Sequence, residues 1–287
     1  EYEKCRSPKT IQEKYGICKS ELYRLHKKMK AEQRIVVKVG TSTLTHESGD
    51  VNLRSMEHLV RTLADLSGMG HEVILVSSGA IGMGVGKLGL PGRPADMPGK
   101  QACAAVGQCE LMYTYDRIFS KYHHTVAQLL ITGDDVENEK RHSNFSNTLN
   151  RLLELGALPI LNENDTVSTD EIVIGDNDTL GAIVAKSVHA DLLILLSDID
   201  GLYTADPRKN PDAVLIPRVD AITEDILALA GGTGSSLGSG GMATKLRAAE
   251  ICLGAGCDMV ITNGKRPDDL YAILEGRSVG TRFLAKR

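Results

Sequence analysis

The sequence of 287 residues predicts an α/β protein: a mainly parallel sheet buried on both faces by helices. Three observations predict it. Strand-like and helix-like segments alternate from Arg34 onward. The strand-like segments, such as "RIVVKV" and "DLLILL", are continuously apolar, the pattern of strands covered on both faces. Several of them end in small, amide or charged residues, where ligands sit in such sheets.

The elements follow in order. "RIVVKVG" is a β-branched run closed by glycine and reads as a strand. From Asn52 to Met69, apolar residues at 53, 56, 59, 60, 63 and 66 give helical spacing. "HEVILVSSGAIGMG" reads as strand, tight glycine turn and helix, and Pro98 to Tyr122 as another helix. "TVAQLLI" is a strand, and Ser143 to Leu155 a helix closed by Gly156. "ALPILNEND" is a strand with a polar end. "TDEIVIGDND" reads as an extended excursion before a helix from about Asn177 to His189. After the strand "DLLILLSDIDG" come a glycine-rich loop, a helix (Met242 to Gly254), a strand ("CDMVITNG") and a helix near Pro267 to Leu274.

Residues 1–33 read as a separate basic, helix-prone extension. Residues 1–34 carry ten Lys/Arg against five Asp/Glu, and the remainder carries 23 against 32. An acidic body argues against broad nucleic-acid binding. No run of 18 apolar residues occurs, so no transmembrane helix is expected. No apolar signal region opens the chain. Six cysteines (Cys5, Cys18, Cys103, Cys109, Cys252, Cys257) form no Cys-x-x-Cys and no Cys/His ligand pattern, so they read as thiols in a reducing cytoplasm.

The chemistry gathers at strand ends and at the glycine-rich stretch. "GSGGMATK" is not a Walker A loop, because Gly241 is separated from Lys245 by three residues. Two readings stay open: backbone amides of Gly238, Gly240 and Gly241 cradling a phosphate with Lys245 one turn into the helix, or a mobile loop before a surface lysine. Lys38 favours the first. It stands inside an apolar strand, two residues before Gly40, where an unpartnered lysine is rare. Two lysines converging from opposite ends of the chain would clamp a phosphoryl group, and Asp178 of "GDND" would hold them apart. "GDND" as a turn and N-cap is the competing reading.

Taken together, "VVKVGTSTL", "VSSGAIGMG", "LNENDTVST", "IGDNDTLGA", "LLSDIDGLYTADPR" and "GSGGMATKLRAAEI" resemble the amino acid kinase family, from about Arg34 to Phe283. The resemblance implies an αβα three-layer sandwich with a mainly parallel central sheet over residues 34–287. It implies a glutamate lobe over about 34–190 and an ATP lobe over about 191–287. The implied activity is phosphorylation of the L-glutamate γ-carboxylate by ATP, the first step of proline biosynthesis. Lys38, Lys245 and Asp178 match the phosphoryl-handling residues of the family, with Gly40 and Gly79 donating backbone N–H groups. Ser78, Asn162, Asp165 and Asn177 match glutamate ligands. Lys38, Ser197, Asp198, Tyr203, Asp206 and the run Ser239, Gly240, Gly241, Met242, Ala243, Thr244, Lys245 match the ATP site. Mg²⁺ would be held mostly by phosphate oxygens and water rather than by a protein metal site. The resemblance also implies feedback inhibition by L-proline and assembly as a dimer or tetramer. No C-terminal PUA module is expected after the kinase core. Competing functions are a kinase for aspartate or N-acetylglutamate, and a DNA-binding amino-acid sensor with a kinase-like core.

Overall fold

The computed structural model describes residues 32–46, 48–167, 176–229 and 241–286. The chain divides into two compact units, Glu1–Gln33 and Arg34–Arg287. The basic helical segment expected over residues 1–33 lies outside the described residues apart from its last two.

The second unit carries strands β1 (Arg34–Val39), β2 (Glu72–Ser77), β3 (Val126–Ile131), β4 (Leu158–Glu163), β5 (Leu192–Ser197), β6 (Arg218–Val219), β7 (Asp258–Asn263) and β8 (Thr281–Phe283). They form one sheet in the order β3-β4-β2-β1-β5-β7-β8-β6. The pairings are parallel except that of β7 with β8. The helices are α1 (Thr41–Leu44), α2 (Leu53–Gly68), α3 (Ala80–Lys87), α4 (Met97–Ser120), α5 (Gly133–Glu137), α6 (Glu139–Glu154), α7 (Asn177–Ser187), α8 (Glu224–Ala228), α9 (Met242–Gly254) and α10 (Asp269–Leu274). This is the expected mainly parallel αβα arrangement.

Side-chain parity sorts the core into two layers. In β1, Ile35, Val37 and Val39 pack with Leu59 and Leu63 of α2, Leu111 and Tyr115 of α4, and Leu270 of α10. Val36 faces the other way, toward Leu180 and Val184 of α7 and Leu246 and Cys252 of α9. Every residue of β5 is buried, which explains its unbroken apolar run. Each such Leu or Ile stabilises the fold by roughly 1.5–3 kcal/mol relative to exposure. β3 lies at the sheet edge and is only partly buried.

Several elements were not legible beforehand. β6 and β8 are too short to show a period. The short helix α1 hides inside "TSTL" directly after β1. α5 did carry a signal: Thr132 and Asp135 form a capping box, with Thr132 N donating to the Asp135 carboxylate at 2.8 Å.

Two glycines bring the backbones of α3 and α4 into direct contact. A Cβ at Gly107 of α4 would stand 1.7 Å from the Ala80 carbonyl oxygen of α3, and one at Gly84 would stand 1.9 Å from that of Cys103. Gly107→Ala is therefore expected to destabilise the protein by about 1–3 kcal/mol, since backbone cannot give way as a side chain can. A lower urea midpoint checks this; an unchanged midpoint would mean that α3 and α4 separate without cost.

Candidate active site

The parallel register aligns the strand ends on one edge. Val39 of β1 stands opposite Ser77 of β2 and Leu196 of β5, and Val76 of β2 stands opposite Leu161 of β4. Gly40, Ser78, Asn162 and Ser197 therefore emerge side by side, and Ser78 N donates to the Val39 carbonyl at 3.1 Å.

Lys38 has the parity of Val36, so it points toward α7 and α9 rather than into the α2–α4 layer. There its Nζ lies 2.6 Å from Asp178 Oδ1. Lys245 Nζ lies 3.0 Å from Asp178 Oδ2. One carboxylate, 1% exposed, thus fixes two ammonium groups whose residues are widely separated in the chain. Gly181 permits this closeness: a Cβ there would meet Leu193 at 3.3 Å and Lys38 Cβ at 3.6 Å.

The "GDND" ambiguity resolves by division of labour. Asp176 is the N-cap of α7, accepting from Thr179 N at 2.8 Å. Asp178, inside the first turn, faces the lysines. Burial pushes its carboxyl upward, but the Lys38 and Lys245 ammonium groups outweigh that and hold it below the ordinary carboxylate value. The one proton of the Thr244 hydroxyl is shared between Asp178 Oδ2 at 3.2 Å and the Gly241 carbonyl at 2.8 Å. Its hydroxyl thus braces the carboxylate, a contact that the glycine-rich sequence pattern does not show.

Beside this cluster, Asn177 Nδ2 donates to Ser78 Oγ at 2.7 Å and to Asn162 Oδ1 at 3.1 Å. Three of the four residues expected to hold the amino acid are therefore joined by hydrogen bonds. Asp165 follows two residues beyond β4, its carboxyl raised by burial and only partly offset by Arg93. Gln108 of α4, which the sequence did not single out, accepts from Asn162 Nδ2 at 3.0 Å.

On the β5 side, Ser197 Oγ donates to Asp198 Oδ1 at 3.1 Å. Tyr203 OH donates to Asp200 Oδ2 at 3.4 Å, and Asp200 Oδ1 also receives Asn263 Nδ2 at 3.0 Å and Arg266 Nη2 at 2.7 Å. Asp206 closes its own turn, accepting from Arg208 N at 3.1 Å and Nε at 3.2 Å. Met242 packs against the α7–α9 core, while Ala243 is exposed. Gly241 caps α9. Ser239 and Gly240 lie outside the described residues.

Gly40 has an extended backbone that any residue adopts, φ −86° and ψ 160°. Its Cβ would stand 3.9 Å from Lys38 Nζ. Glycine here keeps open the space before that ammonium. Gly79 has φ 108°, which requires glycine, and forms the N-cap of α3.

Among the described residues, no three His, Cys, Asp or Glu side chains gather into a metal site. No described helix is long and apolar enough to cross a membrane.

A mainly parallel sheet covered by helices, with two ammonium groups gathered on one buried carboxylate beside the carboxyl ends of its strands, defines the class as an α/β protein with a charged cluster where such folds place their sites. The chain belongs to the amino acid kinase family, whose model matches residues 33–263. It is 56% identical over 257 residues to the glutamate 5-kinase of Clostridium tetani, covering 90% of this chain and 96% of that protein. With the glutamate 5-kinase of Clostridium perfringens it shares 53% identity over 267 residues, covering 92% and 99%. Among solved structures, carbamate kinase from Giardia lamblia bound to AMP-PNP superposes with a TM-score of 0.65 at 19% identity, over 90% of this chain and 100% of that one. T. acidophilum isopentenyl phosphate kinase gives 0.63 at 19% identity, over 87% and 99%. At such identities these two similarities speak for the fold alone.

Proposed function

We propose that the chain transfers the terminal phosphoryl group of MgATP to the γ-carboxylate of L-glutamate, giving L-glutamyl 5-phosphate and ADP, the first step of proline biosynthesis. The names of its half-identical relatives support the substrate. The geometry that carries the proposal is the pair of ammonium groups on Asp178, 2.6 and 3.0 Å away, at the carboxyl edge of the sheet.

The chemistry needs no general base, because a γ-carboxyl is already ionised at neutral pH. What it needs is alignment and neutralisation of charge as the phosphoryl group moves between two oxygens. In this proposal Lys38 and Lys245 flank the transferring group. Each cation about 4 Å away supplies roughly 4 kcal/mol of gross Coulomb energy at an effective dielectric near 20. Gly40 and Gly79 add backbone N–H donors. Ser78, Asn162, Asp165 and Asn177 hold the amino acid on the lobe of residues 34–190. Ser197, Asp198, Tyr203, Asp206 and the run from Ser239 to Lys245 serve the nucleotide on residues 191–287. Mg²⁺ enters as part of the MgATP substrate, ligated by phosphate oxygens and water. Inhibition by L-proline, a dimeric or tetrameric assembly and a cytoplasmic location belong to the same proposal.

The test is a substrate panel with ADP detection and hydroxylamine to trap the acyl phosphate. L-Glutamate is expected to give ADP and hydroxamate in equal amounts, with aspartate and N-acetylglutamate far behind. Preference for either of those would overturn the assignment. Gly40→Ala probes the phosphoryl space separately: its methyl group meets no atom closer than 3.9 Å. We expect an unchanged melting temperature and a loss in kcat/KM on the order of tenfold, since small misplacements of reacting groups are costly. Wild-type kinetics in that variant would remove Gly40 from the site.

A further inference from the structure

We propose that Gln108 is a positioning residue that sets the hydrogen-bond polarity of the amino-acid pocket, so that it presents an acceptor to an ammonium group and a donor to a carboxylate. The inference rests on the proposed phosphorylation of L-glutamate and deepens it.

Gln108 lies on the buried stripe of α4, with Ala104, Leu111 and Tyr115 on the same face. An amide on an apolar stripe costs stability unless it is hydrogen-bonded, and an apolar residue would serve packing as well. Its partner is Asn162, 3% exposed, whose Nδ2 donates to Gln108 Oε1 at 3.0 Å. That contact turns Asn162 Oδ1 the other way, where it accepts from Glu163 N at 2.9 Å and Asn177 Nδ2 at 3.1 Å.

The polarity then propagates. The second N–H of Asn177 goes to Ser78 Oγ at 2.7 Å, so both Asn177 donors are used. Asn177 Oδ1 is left as an acceptor with no partner among the described residues. Ser78 Oγ already accepts, so its own proton remains to be donated. An acceptor beside a hydroxyl donor suits an α-amino acid. Glu163 N favours the same Asn162 orientation. Without Gln108, however, the buried Nδ2 has no acceptor among the described residues, and the side chain gains by rotating away. Asn177 then loses the acceptor that directs its Oδ1 toward the amine, whereas the Ser78 hydroxyl, a free rotor, can still donate to a carboxylate.

The test compares L-glutamate with glutarate, which lacks only the amino group. In Gln108→Met, KM for L-glutamate is expected to rise about tenfold, the scale of one lost buried hydrogen bond. The Ki of glutarate as a competitive inhibitor, and KM for MgATP, are expected to change less than about twofold. The pocket's preference for the amine is thus lost. Gln108→Glu retains an acceptor for Asn162 and is expected to keep the glutamate-to-glutarate ratio. It remains informative if the Met variant does not fold. Equal weakening of both ligands in Gln108→Met, no weakening of either, or collapse of the ratio in Gln108→Glu would overturn the inference. Wild-type protein inert toward L-glutamate would fell the functional proposal first. An active wild type with an unaltered ratio in Gln108→Met would fell this inference alone.

Discussion

Lys38→Ala or Lys245→Ala is expected to lower kcat by about 10²–10³-fold, the loss seen when one preorganised electrostatic group is removed from a transition state. Each ammonium lies against Asp178, Lys38 at 2.6 Å and Lys245 at 3.0 Å, so neither swings freely. Charge moving between two oxygens meets them without reorganisation. Each single variant also leaves Asp178 paired with the other lysine, so the fold is expected to persist. Steady-state kinetics beside a thermal melt separates the two effects. A cooperative melt with near-normal kcat would reject the role of that lysine.

Asp178→Asn is expected to be costly twice over. The carboxylate is 1% exposed, and Lys245 is 5% exposed. Removing the shared anion of a buried ionic cluster typically destabilises by about 3–5 kcal/mol, because the remaining charges stay desolvated. The lysines also lose the group that fixes their separation, so kcat is expected to fall along with the urea midpoint. The sign of the pH effect follows from the depressed carboxyl of Asp178. Its stabilisation is complete above the unfolded carboxylate value of about 4 and fades as pH falls through the lower folded value. The stability gap between wild type and Asp178→Asn should therefore be full at neutral pH and shrink in acid. A gap that does not change with pH would mean that charge is not the cause.

The sheet was legible because strands buried on both faces leave long apolar runs, as in β5, and because glycine or polar residues mark their ends. The direction of Lys38 was also legible, since parity in β1 alone assigns it to Val36's side. Asp178 was legible only as one of two readings of "GDND"; its neighbour Asp176 took the capping role. Gln108 was missed because a single amide within a helical stripe leaves the period intact. Its signal was a polar side chain at a core position four residues from Ala104 and three from Leu111. Thr244 stands in the glycine-rich run that the resemblance assigns to the nucleotide, and its contact with Asp178 depends on the packing of α9 on α7, which the sequence does not show. The contacts of Asp206 with Arg208 and Lys209 close a short turn, a local geometry that the sequence alone does not show.

The most direct test is a crystal structure of the protein with L-glutamate, MgADP and a planar metal-fluoride mimic of the phosphoryl group. The expected result has Lys38 Nζ and Lys245 Nζ on either side of the mimic, each at hydrogen-bond distance of about 3 Å, with the glutamate γ-carboxylate in line. A mimic bound away from Asp178, or with either ammonium turned from it, would contradict the clamp.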